Sequence, residues 1–498
     1  MSAVPLQPSF EEFQTLAAQG NLIPVWAELT ADYETPLSAF EKIEDGAPRF
    51  LFESAETTGF SGRYSFMGAH PRAVITARGR QVEVKFRDGA AETFETRGDP
   101  LSDLEEIMTK FRPVAQPRLP VFNGGAVGFL TYDMVRFFEP TVPPAPKDEL
   151  GLPEMVFLIA DSVVIFDHRY RLMQVVANAS LTDFPDVRAA YDDAGRRIHE
   201  MIERLNRPLH VKPMAAAPAT TPETAVSNTT REEYLEMVEK AKEYIRAGDI
   251  FQVVPSQRFE VPYGGRPIEL FRALRHVNPS PYMFCLEFGD FSLVGSSPEV
   301  HVRCMKGRVD IRPIAGTRWR GKTVEEDDAL AAELLADEKE RAEHIMLVDL
   351  ARNDVGRVST YATVQVSDLM TIERYSHVMH IVTNVHGQLA PDKSAYDVMR
   401  ATFPAGTVSG SPKVRAMQVI NELEKSKRCA YAGAVGYFGF DGNLDSCIAL
   451  RTVVLRHGKA YVQAGAGIVA DSVPESEYTE TVNKAAAALR AVERASRL

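Results

Sequence analysis

A chain of 498 residues with 56 lysines and arginines against 68 aspartates and glutamates carries a formal charge of −12. That balance, with no clustered basic face, argues against a nucleic-acid partner held through phosphate neutralisation. The length suffices for two domains or one large double-layered one. Cys285, Cys304, Cys429 and Cys447 stand without a CxxC or a Cys/His spacing, so neither a disulfide framework nor a zinc site is expected. The N-terminus has no basic region followed by an apolar core, and the most apolar stretch, MVFLIADSVVIF, is interrupted by Asp161. A reducing cytoplasm is the expected location, with no membrane span.

In chain order, PRFLFES, YSFMGA, AVITARG, QVEVKF and DSVVIFDHRYRLMQVVA read as strands, with helices over LSDLEEIMTKF and DVRAAYDDAGRRIHEMIERL. A Pro, Ala and Thr-rich stretch without apolar period reads as a linker over 208–228. It separates an N-terminal sheet-forming, regulatory region, 1–207, from a catalytic region, 229–498. Beyond it, TREEYLEMVEKAKEYIRAGD reads as a helix with Thr229 or Thr230 as N-cap and Glu232 or Glu233 behind it. Strand-like runs and helices then mix without a βαβ rhythm: IFQVVPSQRFEV, YMFCLEFGDFSLVGSS, HVRCMKGRVDIRPIAG, YATVQVSD, HIVTNVHGQL, AGAVGYFGF and KAYVQAGAGIV. The expected fold is α+β, a large antiparallel β-sheet sandwich with helices packed on the outer faces.

Two glutamate pairs at helical spacing draw the eye. Glu340 and Glu343 lie in DEKERAEHIMLVDLARNDVGRV; Glu477 and Glu480, with Lys484 on the same face, follow a glycine-rich turn, Gly465, Ala466 and Gly467. Each pair also has an ordinary reading as a solvated helix face, and Glu340 has one at N3 behind an Asp337 cap. Together, two helices each offering two carboxylates can hold one Mg²⁺, which takes few protein oxygens and completes its octahedron with water or substrate. The small residues of the turn leave backbone N–H groups open to an anion. GTVSGSPK lacks the Gly-Lys-Ser/Thr ending of a phosphate loop, so ATP is not expected.

The segments IFQVVPSQRF, NPSPYMF, LVGSSPEV, RPIAGTRWRG, KERAEHIMLVDLARND, VMHIVTNVHG, TFPAGTVSGSPKVRAM, YAGAVGYFG, SCIALRT and AGAGIVADSVPESEYTETVNKA, in this order, resemble the chorismate-utilising enzymes, and the whole chain is similar to their anthranilate-forming branch. The resemblance implies Mg²⁺ bound chiefly by Glu343 and Glu480, with Glu340 and Glu477 beside them, gripping the ring carboxylate of chorismate. It implies the enolpyruvyl carboxylate on Arg451, whose fork suits it, although a strand ion pair is the ordinary reading of that arginine. Further substrate contacts are implied at Gly316, Thr317, Thr407, Tyr431, Gly465, Ala466, Gly467 and Lys484. Glu299 matches the general acid for the C4 hydroxyl; a strand-end glutamate in solvent is its plainer reading. His380 matches the histidine of pyruvate elimination, or else is a core histidine. His377 is given no role.

Among relatives, the isochorismate and salicylate synthases have a lysine base where Gln252 stands, and the 4-amino-4-deoxychorismate synthases a lysine nucleophile where Ala315 stands. Glutamine cannot deprotonate water but can hydrogen-bond ammonia, and alanine offers no nucleophile. Direct amination at C2 followed by loss of pyruvate is therefore implied. No glycine-rich turn around a cysteine marks a glutaminase here, so a separate glutamine amidotransferase subunit, component II of such systems, is the implied partner. LFESAE and NPSPYMF match segments that bind inhibitory tryptophan in relatives, implying Glu53, Ser54, Pro281, Tyr282 and Met283. The alternatives are a 4-amino-4-deoxychorismate synthase component I, an enzyme that releases the aminated intermediate without losing pyruvate, and a non-catalytic tryptophan-sensing subunit.

Overall fold

In the computed structural model, which describes residues 4–46, 48–54, 62–214, 222, 225–375 and 378–497, two antiparallel sheets of 11 and 12 strands lie face to face. The reason for two covered faces is legible in single strands. Met155–Ala160 and Gly125–Leu130 are buried at every position, because the second sheet packs on the first with one face and on helices with the other. That explains the apolar run MVFLIA without a membrane; among the described residues no helix is long and apolar enough to cross one. Towards the edge of the second sheet Gln81–Phe86 alternates buried and exposed residues, with only one face covered.

Three apolar clusters fill the layers. Phe50, Phe129, Leu158, Phe284 and Leu293 lie between the sheets. Phe40, Phe271, Leu274 and Leu489 join the first sheet to its outer helices, and Leu101, Val348, Met399 and Met417 do the same for the second. The result is the helix, sheet, sheet, helix sandwich that the strand pattern predicts.

Both sheets draw strands from either side of the 208–228 segment. Arg49–Glu53 pairs with Tyr282–Glu287, and Gly125–Leu130 with Ala434–Gly439. The end of that segment, Val226–Ser227, is itself an edge strand against Phe259 and Glu260, where sequence reading expects linker; residues 215–221, 223 and 224 of it lie outside the described residues, as does His377. The helix after it spans Arg231–Arg246, with Thr230 and Glu233 forming the expected capping box.

Candidate active site

One wall of the candidate site is built by two helix N-terminal regions. Asp337 caps the helix Glu338–Gly356 by accepting from the amides of Lys339 and Glu340 at 3.0 and 3.1 Å. The Glu340 side chain does not reach back to the cap. It accepts from Arg318 at 3.3 Å, and Arg318 also holds Asp337 and Glu333, each at 3.0 Å. One turn on, burial raises the pKa of Glu343; Lys339 lowers it, and the charges of Glu340, Asp471 and Glu480 raise it again. On the C-terminal helix Pro474–Ala495, burial and the charge of Glu480 likewise raise Glu477, against a hydrogen bond from Ser472. The two helices thus bring carboxylates from distant stretches into each other's field. Glu480 is in addition paired with Lys484 at 2.6 Å.

Crowded, partly desolvated carboxylates such as Glu343 and Glu477 are what a divalent cation relieves, and the exposed Glu480 adds its charge to both. No group of three or more His, Cys, Asp or Glu side chains close enough to enclose a metal occurs among the described residues. These residues form no closed protein cage, so a cation held here would keep most of its shell for water and ligand.

The opposite wall comes from strand ends and bulges. A register shift between Ala315 and Arg318 leaves Gly316 and Thr317 out of the ladder beside His380. His380 Nδ1 lies 2.8 Å from the Gly316 carbonyl and 3.2 Å from Thr317 Oγ1. A carbonyl only accepts, so Nδ1 carries the proton and Nε2 is left basic. Burial, partly offset by the Gly316 contact, lowers the His380 pKa, and the nearby Arg451 charge lowers it further. Gly316 has φ of 66°, and a Cβ there would stand 3.1 Å from Glu340 Oε2, so this glycine is where the two walls meet.

Arg451 does not lie within a strand in an ion pair. It precedes the strand Thr452–Arg456 with φ of 49°, a conformation costing an L-residue about 1–2 kcal/mol. Its guanidinium makes no hydrogen bond or ion pair among the described residues, while burial lowers its pKa and the Tyr431 phenol opposes that. An arginine held in a strained, largely enclosed position without a carboxylate is a site for an external anion. Tyr431 is buried, its pKa pushed up to about 12 by burial.

Glu299 sits between the strands Phe291–Ser297 and Val300–Met305. Its carbonyl accepts from the Ile448 amide at 3.1 Å and its amide lies 3.4 Å from Ser297 Oγ. Its carboxyl borders a cleft yet is surrounded by protein, and desolvation pushes its pKa up to about 8, against lowering by Thr407 and Lys484. The plainer reading, a glutamate in solvent, is thereby corrected: enclosure favours the protonated form of this carboxyl. Thr407 Oγ1 is buried and satisfies no hydrogen-bond geometry, although it lies close enough to influence Glu299.

The glycine segment needs one correction. Gly465 ends the strand Lys459–Gly465, and the helix begins only at Pro474. The Ala466 amide is used, donating to the Pro255 carbonyl at 3.2 Å, so the turn does not present three open N–H groups; that of Gly467 makes no backbone hydrogen bond among the described residues. Gly467 instead backs onto Gln252, whose Nε2 would lie 2.8 Å from a Cβ. Gln252 is buried and its Oε1 has no partner. Lys484 donates to the Gly465 carbonyl at 3.1 Å, tying this segment to the helical wall.

Apart from this site, Glu53 and Met283 are directly opposed across two strands. Glu53 is buried, held by Arg275 at 2.8 Å, with its Oε2 unpartnered among the described residues and its pKa raised by burial. Ser54 follows at the strand end, and Pro281 precedes Tyr282–Glu287. Tyr282 does not join Met283 in one slot. Alternation turns it to the other face, where its hydroxyl donates to Asp445 at 2.9 Å.

Sequence reading does not single out Arg318, Asp471 or Ser472, which position or polarise the glutamates; they lie inside the quoted motifs RPIAGTRWRG and AGAGIVADSVPESEYTETVNKA, but nothing in their spacing says which helix they face. Of the residues flanking Glu343, His344 is a core histidine, 2.6 Å from Thr383 Oγ1 with its pKa down at about 4 through burial, and Asp349 and Arg352 form an exposed pair at 2.9 Å. Lys413 of GTVSGSPK is consumed by Asp354 at 2.6 Å.

Comparison with known proteins matches residues 47–490 to the family described as chorismate binding enzyme. Anthranilate synthase component 1 of Acetivibrio thermocellus is 47% identical over 495 residues, 99% of each chain; that of Aquifex aeolicus is 48% identical over 489 residues, 98% of each. The crystal structure of anthranilate synthase component I from Streptococcus pneumoniae TIGR4 superposes with a TM-score of 0.77 at 37% identity, covering 93% of this chain and 99% of that one. The isochorismate synthase MenF of Escherichia coli, at 18% identity and a TM-score of 0.69, shares the fold.

Proposed function

Because the chain belongs to the chorismate binding enzyme family, we propose that it aminates chorismate at C2 with ammonia and then expels pyruvate, giving anthranilate for tryptophan biosynthesis. The observation that carries this is Arg451, enclosed, unpaired among the described residues and close enough for its charge to act on His380, together with Glu299, a carboxyl that enclosure pushes towards its protonated form. One group binds a carboxylate without itself titrating; the other has a proton to give.

Arg451 takes the enolpyruvyl carboxylate, with Tyr431, the Gly467 amide and Thr317 around it. Glu343 and Glu480, flanked by Glu340 and Glu477, would hold Mg²⁺ against the ring carboxylate. When bound, the cation neutralises that carboxylate and fixes the ring. The unpartnered Oε1 of Gln252 accepts a hydrogen bond from ammonia, and no lysine replaces it or Ala315 to divert the reaction to water or to a covalent route. As the C2–N bond forms, Glu299 gives its proton to the C4 hydroxyl, which leaves as water, since hydroxide is a poor leaving group. In the second step His380 Nε2, basic because Nδ1 is fixed on Gly316, removes the C2 proton while the enolpyruvyl methylene is protonated and pyruvate departs. Aromaticity drives that step.

Ammonia reaches the cytoplasmic enzyme from a glutamine amidotransferase partner, and tryptophan inhibits by placing its amino group on Glu53 Oε2 with Ser54, Pro281 and Met283 beside it. The purified chain with chorismate, ammonium and Mg²⁺ should yield anthranilate fluorescence and pyruvate in equal amounts. Accumulation of a 4-amino product, of an aminated intermediate without pyruvate, or of nothing, contradicts the reading.

A further inference from the structure

Bordering Glu299 lies a cavity of about 30 Å³ that opens to solvent and is lined along one side by the helix Glu338–Gly356. Its lining includes Glu299, Thr407, Thr402, His301, Arg312 and Asp354. Three of these present buried polar atoms that meet no hydrogen-bond geometry among the described residues: Thr407 Oγ1, beside Glu299, Arg312 Nε and Asp354 Oδ1. Asp354 is only 4% exposed, and its other oxygen is bound by Lys413 at 2.6 Å. Buried polar groups are normally satisfied, and a roomy polar cavity satisfies them with water. A water needs roughly 10–15 Å³ of such volume, so there is space for about two.

The reaction proposed above leaves a specific debt. Glu299 loses its proton to the departing hydroxyl, and the new C2 ammonium must lose one to become the amine. Net, chorismate and ammonia give the amine and water, so one proton has to travel from nitrogen back to Glu299 before the next turnover. We propose that this cavity holds a water chain that reprotonates Glu299, with Thr407 as its near link and Asp354 as the positioning residue that anchors its far end. The inference rests on Glu299 being the general acid. Thr407 donates to the Glu299 carboxylate once it is ionised and accepts from the first water; Asp354 Oδ1 accepts from the last.

The charges facing these groups are few. Asp354 meets Lys413 from the helix Lys413–Leu423 and Arg357 from its own helix. Glu299 meets Lys484 from the C-terminal helix. Arg312 is engaged by Glu373. His301 lies between Ser446 and Thr402 hydroxyls at 3.2 and 3.3 Å and is neutral, its pKa down at about 3 through burial, so it adds no charge and relays no proton of its own.

The test compares the unaltered protein with Asp354→Asn, Asp354→Glu and Ala351→Leu, the last narrowing the cavity from its wall while leaving the Asp354 carboxylate in place. With anthranilate formation by the unaltered protein as control, Asp354→Asn and Ala351→Leu should lower kcat about tenfold with KM within twofold. The alkaline limb of the kcat profile should move to lower pH, and Asp354→Glu should restore part of the rate. In mixed H₂O and D₂O the unaltered enzyme's rate should fall along a curve, as several protons in flight require. If Asp354→Asn loses its fold with Lys413 unpaired, Ala351→Leu and the isotope curve decide. Unchanged kcat and pH profile in folded variants, or a straight isotope line, overturns the relay while leaving the amination standing; failure of the unaltered chain to form anthranilate overturns the amination itself.

Discussion

The two walls of the cleft hold charge in opposite ways. On the helical wall, Glu343 and Glu477 are carboxylates that repel their neighbours and lie within reach of lysines. On the strand wall, Glu299 is a carboxyl kept neutral by enclosure, and Arg451 a cation kept without a counter-ion. In the proposed reaction the first arrangement takes a cation, the second an anion and a leaving group. Polarity of this sort orients a dicarboxylate substrate before any bond changes, because each carboxylate has one wall that accepts it and one that rejects it.

The sharpest break of this contrast is Glu299→Gln, which keeps the shape and removes the transferable proton. Turnover should fall by about 10²–10⁴. The sign of the accompanying stability change follows from the raised pKa. An ordinary glutamate near 4.5 becomes one near 8 on folding, so the folded state binds the extra proton, and the stability it confers is present below about 4.5 and lost as pH rises through 8. Glu299→Gln should therefore melt higher than the parent above pH 8 and about the same at pH 4; a variant equally destabilised at all pH values breaks the assignment.

On the other wall, Glu343→Gln and Glu480→Gln each remove a carboxylate from the proposed cation site and should lower Mg²⁺-dependent turnover by about 10³, several kcal/mol of charge stabilisation. Glu340→Gln and Glu477→Gln should cost about 10- to 100-fold, as supporting groups do. Equal losses at all four would erase the distinction between holding and flanking. Arg451→Lys keeps the charge but not the fork. Charged hydrogen bonds of about 1.5–3 kcal/mol are at stake, and KM for chorismate should rise ten- to a hundredfold, more than kcat falls. Smallest, and on neither wall, Glu53→Gln should weaken tryptophan inhibition about tenfold with the uninhibited rate unchanged; inhibition identical to the parent's would detach Glu53 from the effector.

The same contrast explains what the sequence discloses. Helical spacing is local, so Glu340 with Glu343 and Glu477 with Glu480 are visible as pairs before any fold is known. The strand wall is assembled from the 252, 299, 316, 380, 407, 431 and 451 segments, and composition or period alone does not join them; only family resemblance named those residues. Even then, resemblance does not supply physical state. That Ala466 spends its amide on Pro255, that Tyr282 turns away from Met283 towards Asp445, and that Glu340 binds Arg318 in place of its own cap all depend on partners far off in the chain. The sandwich itself was readable from many strand-like runs mixed with long helices in no βαβ rhythm. The interleaving of both sheets across the 208–228 segment was not, because pairing across more than 200 residues leaves no local pattern.

The claim beneath all of this is that Glu343 and Glu480 grip a divalent cation jointly with the substrate. Titration calorimetry of Mg²⁺ into the purified chain at pH 7.5, with and without chorismate and with ammonia withheld, tests it without turnover. Binding should tighten when chorismate is present and be lost in both Glu343→Gln and Glu480→Gln while their folds persist. Heats that are indifferent to chorismate, or unchanged in those two variants, would contradict it.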